Sequence, residues 1–330
     1  MSPASTGETR EIRAGRIYRD VYDKRADDRR AHGRPTGGQL PLAELEVAHI
    51  DDGVLAFESS SARDRALADG VFFMEIPDHL DVTAGDEFAG QFHLGSSAEP
   101  YGRFRGLGPD EFGDPLLGFH QRVNQIEQFL LERRFWARHF PTEIAKLGED
   151  LTVLSRRILR GVLHHVGIPS VDWMRATGGC SDAAGSYHLT FNHYRPTLDE
   201  IGLNSHKDDG FITVLRTTSP GLEVNRDNAW EAVPADVAHF VVNFGLSMEL
   251  LTAACDAPVA AIMHRVAQQD ADRSSFGHFS SSRCAPGDDD GIYRYLPGTG
   301  LQRLCGSREL IDANDHEIYQ GTEALSEGDQ

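Results

Sequence analysis

The stretch that decides the fold begins at His206-Lys207-Asp208-Asp209-Gly210 and ends at Ile262-Met263-His264-Arg265-Val266. In a β-strand, residues two apart point to the same face, so His206 and Asp208 can present an imidazole and a carboxylate to one point. His264 lies in an apolar run and completes the set if the chain folds back on itself. Two histidines and one carboxylate on one face of an iron ion leave the opposite positions open for oxygen and an organic substrate. The pattern therefore predicts a mononuclear non-haem iron site.

Each piece alone has a commoner explanation, because H-x-D arises by chance and a single His in an apolar strand is usually a hydrogen-bonded core residue. The combination carries more weight, since further pieces follow in a fixed order. They are Asn192-His193-Tyr194-Arg195-Pro196, Gly221-Leu222-Glu223-Val224, Trp230, Val242-Asn243-Phe244-Gly245 and Arg273-Ser274-Ser275. With these pieces the region resembles the Fe(II)- and 2-oxoglutarate-dependent dioxygenases of the isopenicillin N synthase-like family. The resemblance is specific here and looser before residue 180.

The order of the predicted elements favours a mainly β fold with helices. Apolar residues at helical spacing lie upstream, and many short β-type runs follow in one block, which is typical of a sandwich or jelly roll. These runs cover residues 186–194, 211–215, 221–224, 229–233, 239–244, 259–266 and 274–281. The resemblance implies the same architecture, a double-stranded β-helix (jelly roll) core backed by N-terminal helices.

We expect one integrated globular unit with four parts. A polar N-terminal arm covers residues 1–40, and an α/β and helical support region covers 41–180. The double-stranded β-helix catalytic core follows over 181–312, and a C-terminal tail covers 313–330. The arm has mixed charge and lacks the apolar centre that a signal peptide needs.

Two long helices are predicted in the support region. Their apolar residues recur at helical spacing over 116–130 and again from Pro141 to Val166. Proline is tolerated at the first turn of a helix, so Pro141 suits the start of the second one. We expect the second helix to lie along a sheet and to bury its apolar stripe.

Arg273 and Ser275 are the candidate anchors for an acidic co-substrate. Arg273 provides a planar, permanently charged fork suited to a carboxylate, and Ser275 adds a hydroxyl donor from the same strand face. In the resembled family an R-x-S motif binds the distal carboxylate of 2-oxoglutarate. An N-x-Y motif, here Asn192 and Tyr194, contributes hydrogen bonds to the same molecule.

Three arginines keep alternative interpretations open. Arg273 could instead form a surface salt bridge with Asp270 or Asp272, which lie beside it in the sequence. Arg103 and Arg105 lie in a glycine-bracketed loop, where they could be surface residues or could meet an anionic group of the substrate. We name both as candidate substrate-binding residues.

The resemblance implies an enzyme that uses Fe(II), 2-oxoglutarate and O2 to oxidise a C–H bond of a small molecule, with release of succinate and carbon dioxide. Hydroxylation, desaturation and oxidative cyclisation all fit, and a small specialised metabolite or an amino-acid-like compound is the expected substrate. Because Asp208 is present, halogenation is disfavoured. Three alternatives remain: a keto-acid-independent non-haem iron oxidase of the same fold, a zinc-dependent hydrolase, and a jelly-roll module that only binds a ligand.

Composition excludes several other classes of function. The 32 basic and 51 acidic residues give a formal charge of −19, which argues against a nucleic-acid partner because such proteins present a concentrated basic face. No apolar run approaches the roughly 18 residues of a membrane span. The four cysteines form no C-x-x-C pair, so a reducing cytoplasm is the expected location. Nothing in the sequence predicts an oligomeric state.

Overall fold

The computed structural model describes residues 40–95 and 97–319. The polar arm predicted over 1–40 therefore lies outside the described residues except for Leu40. The tail predicted over 313–330 is described as far as Tyr319. No helix within the described residues is long and apolar enough to span a membrane.

Most strands of the described chain belong to two sheets, and two short hairpins lie near the C-terminal side. The strands are β1 (Val47–Asp51), β2 (Val54–Phe57), β3 (Val71–Glu75), β4 (Gly118–Gln121), β5 (Ile126–Glu132), β6 (Ser186–Tyr194), β7 (Leu203–His206), β8 (Ile212–Thr217), β9 (Leu222–Arg226), β10 (Ala229–Ala232), β11 (His239–Phe244), β12 (Met263–Val266), β13 (Arg273–Ser281), β14 (Cys284–Ala285), β15 (Asp288–Asp289), β16 (Ile292–Leu296) and β17 (Gly300–Cys305).

Helices lie between these strands and after the last of them. They are α1 (Ser60–Asp69), α2 (Thr83–Ala89), α3 (Pro109–Phe112), α4 (Arg133–His139), α5 (Thr142–His165), α6 (Trp173–Ala176), α7 (Leu246–Thr252) and α8 (Ser307–Tyr319). Short 3-10 turns lie at Gly102–Gly106, Ser170–Asp172 and Cys180–Asp182.

The two main sheets have the order β2-β1-β3-β11-β8-β13-β6-β5-β4 and β10-β9-β12-β7. The pairing of β1 with β3 is parallel, and the other named strand pairs are antiparallel. Antiparallel sheets with non-consecutive neighbours are the arrangement expected of a jelly roll. The strand-rich core predicted downstream of residue 180 is present.

The large sheet is covered on both faces, which explains the composition of its strands. On β3, Phe72 and Met74 pack among the helices, whereas Val71 and Phe73 pack between the two sheets. All four side chains are buried. A strand that is covered on both sides reads as a continuous apolar run rather than as an alternating one.

Helix α5 confirms the second predicted helix and backs the large sheet. It packs on β2, β8 and β13 through a buried stripe that includes Leu147, Leu151 and Leu154. Polar contacts fix its register as well, because the hydroxyls of Thr152 and Ser155 lie 2.9 and 3.1 Å from the ring nitrogens of the buried His278 on β13.

Leu154→Asp is expected to lower the free energy of unfolding by several kcal/mol, because it would bury an unpaired carboxylate. Leu154 is 3% exposed and its neighbour Val153 is 42% exposed, so Val153→Asp on the same helix is the matched control and should change stability by about 0.5 kcal/mol or less. Urea unfolding measures both. Equal stability of Leu154→Asp and the native chain would contradict the helix-backed sheet.

The prediction of a helix over residues 116–130 is wrong. That segment forms β4 and β5, which pair with each other and add to the edge of the large sheet beyond β6. The error has a physical cause in β5, where Ile126 packs between the sheets and Phe129 packs against the helices. Apolar residues that serve both faces of a strand can imitate the three- and four-residue spacing of a helix.

The large sheet crosses the boundary predicted at residue 180. Strands β1 to β5 precede that residue, yet they join the same sheet as β6, β8, β11 and β13. The boundary predicted between residues 312 and 313 falls inside α8. The helices are also less segregated than expected, because α7 and α8 follow the first strands of the core.

Candidate active site

Two histidines face each other across the small sheet. His206 is the last residue of β7 and His264 is the second residue of β12, and the two are direct partners in the antiparallel register. Their ring centroids are 4.2 Å apart. The fold-back that the sequence required for His264 to meet His206 is therefore present.

In both rings a backbone carbonyl oxygen lies near Nδ1, and Nε2 is the nitrogen that faces Asp208. His206 Nδ1 lies 2.8 Å from the Asn204 carbonyl oxygen, and His264 Nδ1 lies 3.3 Å from the Ile262 carbonyl oxygen. A carbonyl only accepts, so Nδ1 carries the proton and Nε2 keeps its lone pair for a ligand. Burial and the neighbouring His206 lower the pKa of His264 to about 4, so this imidazole is neutral at pH 7.

Asp208 lies just after β7 rather than within it, so its direction depends on contacts instead of strand alternation. Its Oδ2 accepts hydrogen bonds from Thr213 Oγ1 at 2.5 Å and from Asn243 Nδ2 at 2.6 Å. Its Oδ1 lies 3.5 Å from His206 Nε2 and 3.7 Å from His264 Nε2. Asp208 Oδ1 and the Nε2 atoms of His206 and His264 therefore converge on one point, as the ligand atoms of a metal ion would.

The electrostatics keep this carboxylate ionised. Burial by itself would raise the pKa of Asp208, but the nearby His264 and His206 and the hydroxyl of Thr213 outweigh it and hold the pKa below its ordinary value. Two imidazoles and one carboxylate form the donor set of non-haem iron sites with open positions. The chemistry of these donors fits Fe(II).

The turn that carries Asp208 is held by the start of α7. The backbone amides of Leu246 and Ser247 donate to the carbonyl oxygens of Asp208 and Asp209 at 2.7 and 3.1 Å. Gly245 lies so close that a Cβ added there would be 2.7 Å from the Asp208 carbonyl oxygen. A side chain at this position would displace the turn.

Sequence reasoning missed these supporting residues. Asn243 belongs to the motif that carried the resemblance, but no role was assigned to it. A signal was available, because an Asn inside the apolar run His239–Phe244 must find a hydrogen-bonding partner when buried. Thr213 has no comparable signal, since a threonine in a strand needs no special explanation.

Arg273 lies in the same cavity and is 2% exposed. Its Nε donates to the Pro220 carbonyl oxygen at 3.0 Å, and its Nη2 donates to Thr217 Oγ1 at 2.9 Å. Its Nη1 is buried, and no acceptor among residues 40–95 and 97–319 receives a hydrogen bond from it. The alternative of a surface salt bridge does not hold, because Asp272 is directed to His193 instead.

The other predicted co-substrate residues surround Arg273. In the register of β6 and β13, Tyr194 is paired with Arg273, and Asn192 is paired with Ser275. The guanidinium of Arg273 lies 4.7 Å from the centre of the Tyr194 ring. Asn192 Nδ2 is 3.5 Å from Ser275 Oγ. All four side chains line one cavity with the two histidines and Asp208.

The cavity lies between the two sheets and has a volume of about 160 Å³. Beyond the predicted residues it is lined by Arg122 from the turn between β4 and β5, and by Asp209. Helix α8 contributes Asp315 and Tyr319, so part of the segment predicted as a tail helps to form the cavity.

Arg103 and Arg105 do not reach this cavity. Both lie on an exposed 3-10 turn, where Arg103 donates to the His139 carbonyl oxygen at 3.4 Å and Arg105 donates to the His93 carbonyl oxygen. The loop chemistry indicated binding, but the loop packs elsewhere in the fold.

Asp209 directly follows Asp208 and occupies a bend of the chain, where it is half-buried and lines the cavity. Burial, followed by the negative charges of Asp208 and Asp315, raises the pKa of Asp209 to about 7. Its carboxyl group is therefore available as a hydrogen-bonding group inside the cavity.

Comparison with known protein families identifies the region that carries the site. The family model of the 2OG-Fe(II) oxygenase superfamily matches residues 186–282. These residues include all seven predicted metal and co-substrate positions. The match begins with β6 and ends just after β13.

Curated relatives extend the similarity upstream. A rice (Oryza sativa subsp. japonica) protein named 2-oxoglutarate-dependent dioxygenase 21, chloroplastic, is 32% identical over 142 residues, which is 40% of this chain and 40% of that protein. Jasmonate-induced oxygenase 2 of Arabidopsis thaliana is 27% identical over 272 residues, or 74% of this chain and 70% of that protein. The matched segment thus spans less than half of the rice relative and over two thirds of the Arabidopsis one.

Solved structures share the fold. The crystal structure of JOX2 in complex with 2OG, Fe and JA superposes with a TM-score of 0.62 at 20% identity, and the match covers 88% of this chain and 89% of that one. At that identity the likeness concerns the fold alone. The prediction of a jelly-roll core with supporting helices is confirmed.

Proposed function

We propose that this chain, which belongs to the 2OG-Fe(II) oxygenase superfamily, oxidises a C–H bond of a small molecule with Fe(II), 2-oxoglutarate and O2. The observation that carries the proposal is one cavity that holds both the His206, Asp208 and His264 donor set and a buried arginine. Arg273 Nη1 has no acceptor within the described chain. An anionic co-substrate would satisfy it.

The residues of the cavity have separate tasks in this proposal. His206, Asp208 and His264 would hold the iron, while Thr213 and Asn243 orient the carboxylate that binds it. When bound, iron and the keto acid supply the oxidising chemistry, in which oxygen is reduced, the keto acid gives succinate and carbon dioxide, and the substrate is hydroxylated, desaturated or cyclised.

Arg273 and its neighbours would hold the far end of the keto acid. The guanidinium offers Nη1, Ser275 offers its hydroxyl, and Tyr194 covers one side of the guanidinium. The small sheet and α8 contribute side chains to the wall of the cavity beside these groups.

The test is a coupled assay on the iron-loaded enzyme. A panel of small carboxylates and amino acids is incubated with 2-oxoglutarate in air, and succinate is measured beside the oxidised product. Succinate and product should appear in a one-to-one ratio and should both disappear under nitrogen. Product formed at an unchanged rate without 2-oxoglutarate would favour the keto-acid-independent oxidase, and activity under nitrogen would favour a hydrolase.

The substrate that we propose is amino-acid-like. Arg122 lies in the turn before β5 with its guanidinium 3.7 Å from the centre of the Tyr319 ring, and no residue of the described ranges accepts a hydrogen bond from its buried Nε. This group suits a substrate carboxylate. Asp209 and Asp315 line the same cavity and suit an ammonium group.

Arg122→Gln is expected to raise the KM of a carboxylate substrate about 10- to 100-fold, which corresponds to the roughly 1.5–3 kcal/mol of a hydrogen bond to a charged group. The dissociation constant of 2-oxoglutarate should stay the same. Arg103→Gln is the matched control, because Arg103 is exposed and does not line the cavity. When the carboxylate of the substrate is converted to an amide, the native chain and Arg122→Gln should have similar KM values. An effect in Arg103→Gln but not in Arg122→Gln would reverse the assignment.

A further inference from the structure

A second group of metal-binding side chains lies away from the cavity. His93, Glu127 and His193 each offer one ligand atom, and these atoms lie within 4.8 Å of one another. Glu127 on β5 is the direct register partner of His193 on β6. Since successive residues of a strand point to opposite faces, His193 points away from the face that Asn192 and Tyr194 present to the cavity.

Two polar atoms in this cluster have no hydrogen bond. They are His93 Nδ1 and Glu127 Oε2, both buried, and no partner for either atom exists within the described ranges. The Glu127 side chain is 2% exposed, and the nearest cation is Arg105 Nη1 at 4.0 Å from Oε2. A buried carboxylate oxygen and a buried imidazole nitrogen without partners both cost free energy. A ligand that bonds to both atoms would recover this free energy.

The third member of the cluster, His193, lies between two carboxylates. His193 Nδ1 is 2.9 Å from Glu127 Oε1, and His193 Nε2 is 3.2 Å from Asp272 Oδ1. The rings of His93 and His193 stack with their centres 3.5 Å apart and their planes 2° from parallel. The stack brings both imidazoles to the same buried carboxylate.

We propose that His93, Glu127 and His193 bind a second divalent transition-metal ion. Two imidazoles and one carboxylate suit Zn²⁺ or Co²⁺ in a four-coordinate site with water in the remaining position. Asp272 would stay at the other ring nitrogen of His193 and orient the ring. Ligands at about 2.0–2.1 Å from a tetrahedral ion lie roughly 3.3 Å apart. The 2.9 Å contact between Glu127 and His193 would open by a few tenths of an ångström. The His93 ring would also turn out of its stack on His193, because an imidazole binds a metal ion in its own ring plane.

The bound ion would connect three separate parts of the fold. His93 follows α2, while Glu127 and His193 lie on neighbouring strands of the large sheet. The site would stabilise β6 from behind the cavity without contributing a ligand to the cavity itself.

Metal counting on tag-free protein tests the proposal. The apoprotein is dialysed against Co²⁺ or Zn²⁺, the metal content is measured by mass spectrometry, and the affinity is measured by calorimetry. The background chain is the double variant His206→Ala, His264→Ala, which lacks the first site. Two further changes are made in it: His93→Phe, which keeps a stacked ring, and Glu127→Gln, which keeps the shape of the carboxylate.

We expect two ions per native chain, one in the double variant, and none after either further change at metal concentrations that saturate the double variant. The affinity should fall by more than about 100-fold, because even the loss of an outer hydrogen-bonding partner costs 10- to 100-fold. Zn²⁺ should raise the thermal midpoint of the double variant and not that of its His93→Phe form. His79→Ala, which removes an exposed histidine, should change nothing.

Two results would overturn the second site. One is a single ion per native chain. The other is that the double variant still binds one ion in its His93→Phe form and also in its Glu127→Gln form. Neither result depends on catalysis, so they can be told apart from a failure of the proposed oxygenase function, which the succinate assay reports.

Discussion

Asp208→Ala is expected to lower the affinity for Fe(II) by more than about 100-fold and to reduce succinate formation to the background of the assay. Asp208 is the only anionic member of its donor set, and its Oδ1 lies within 3.7 Å of both Nε2 atoms. His206→Ala and His264→Ala should have the same effect on iron content. Anaerobic iron titration, followed by metal analysis after desalting, measures it.

Asp236→Ala is the control for Asp208→Ala. Asp236 also lies beside a histidine, with its Oδ2 2.8 Å from His239 Nδ1, but it does not line the cavity. This variant should keep its iron and its activity. If all three alanine variants of the donor set retained full iron content and activity, the metal centre would have to lie elsewhere.

Asn243→Ala should give an intermediate result, because Asn243 acts on the metal site through Asp208. The variant keeps all three ligands but loses the 2.6 Å hydrogen bond that orients the carboxylate. A 10- to 100-fold weaker affinity for Fe(II) is the usual consequence of losing such a partner. A change in kcat with an unaltered iron affinity would show that Asn243 acts on the substrate instead.

The donor set could be predicted from sequence because its signals are local. His206 and Asp208 are two residues apart, and His264 interrupts an apolar run. The reason given for Asp208 was nevertheless incomplete, since its direction depends on Thr213 and Asn243 rather than on strand alternation. A local sequence pattern can identify a metal-binding residue without identifying the hydrogen bonds that orient its side chain.

The residues beyond the donor set depend on long-range packing. Arg103 and Arg105 were predicted from their loop to bind substrate and lie outside the cavity, whereas Arg122 lines it, because β4 and β5 extend the sheet where a helix was predicted. The second cluster has no sequence pattern at all, since His93, Glu127 and His193 meet only when α2 packs behind β5 and β6. No spacing rule connects residues that far apart.

Arg273→Leu is expected to weaken 2-oxoglutarate binding by roughly two to four orders of magnitude, which corresponds to the 3–5 kcal/mol lost when a buried charge loses its partner. The far carboxylate of the keto acid would be an unpaired anion among Tyr194 and the apolar residues of the cavity. Arg273 already has its Nε and Nη2 held by Pro220 and Thr217, so Nη1 is positioned before the ligand arrives. The iron content should hardly change, because Arg273 contacts none of the three proposed ligands.

An anaerobic titration of the Fe(II) enzyme with 2-oxoglutarate, followed by its charge-transfer absorption, measures the effect of Arg273→Leu. Arg273→Lys keeps the charge without the planar fork and should fall between the native chain and Arg273→Leu. Ser275→Ala removes a hydroxyl donor to a charged group and should cost about 1.5–3 kcal/mol or less. Equal thermal midpoints would show that each variant is folded. An unchanged dissociation constant in a folded Arg273→Leu would remove the keto acid from this position and favour the oxidase that works without it.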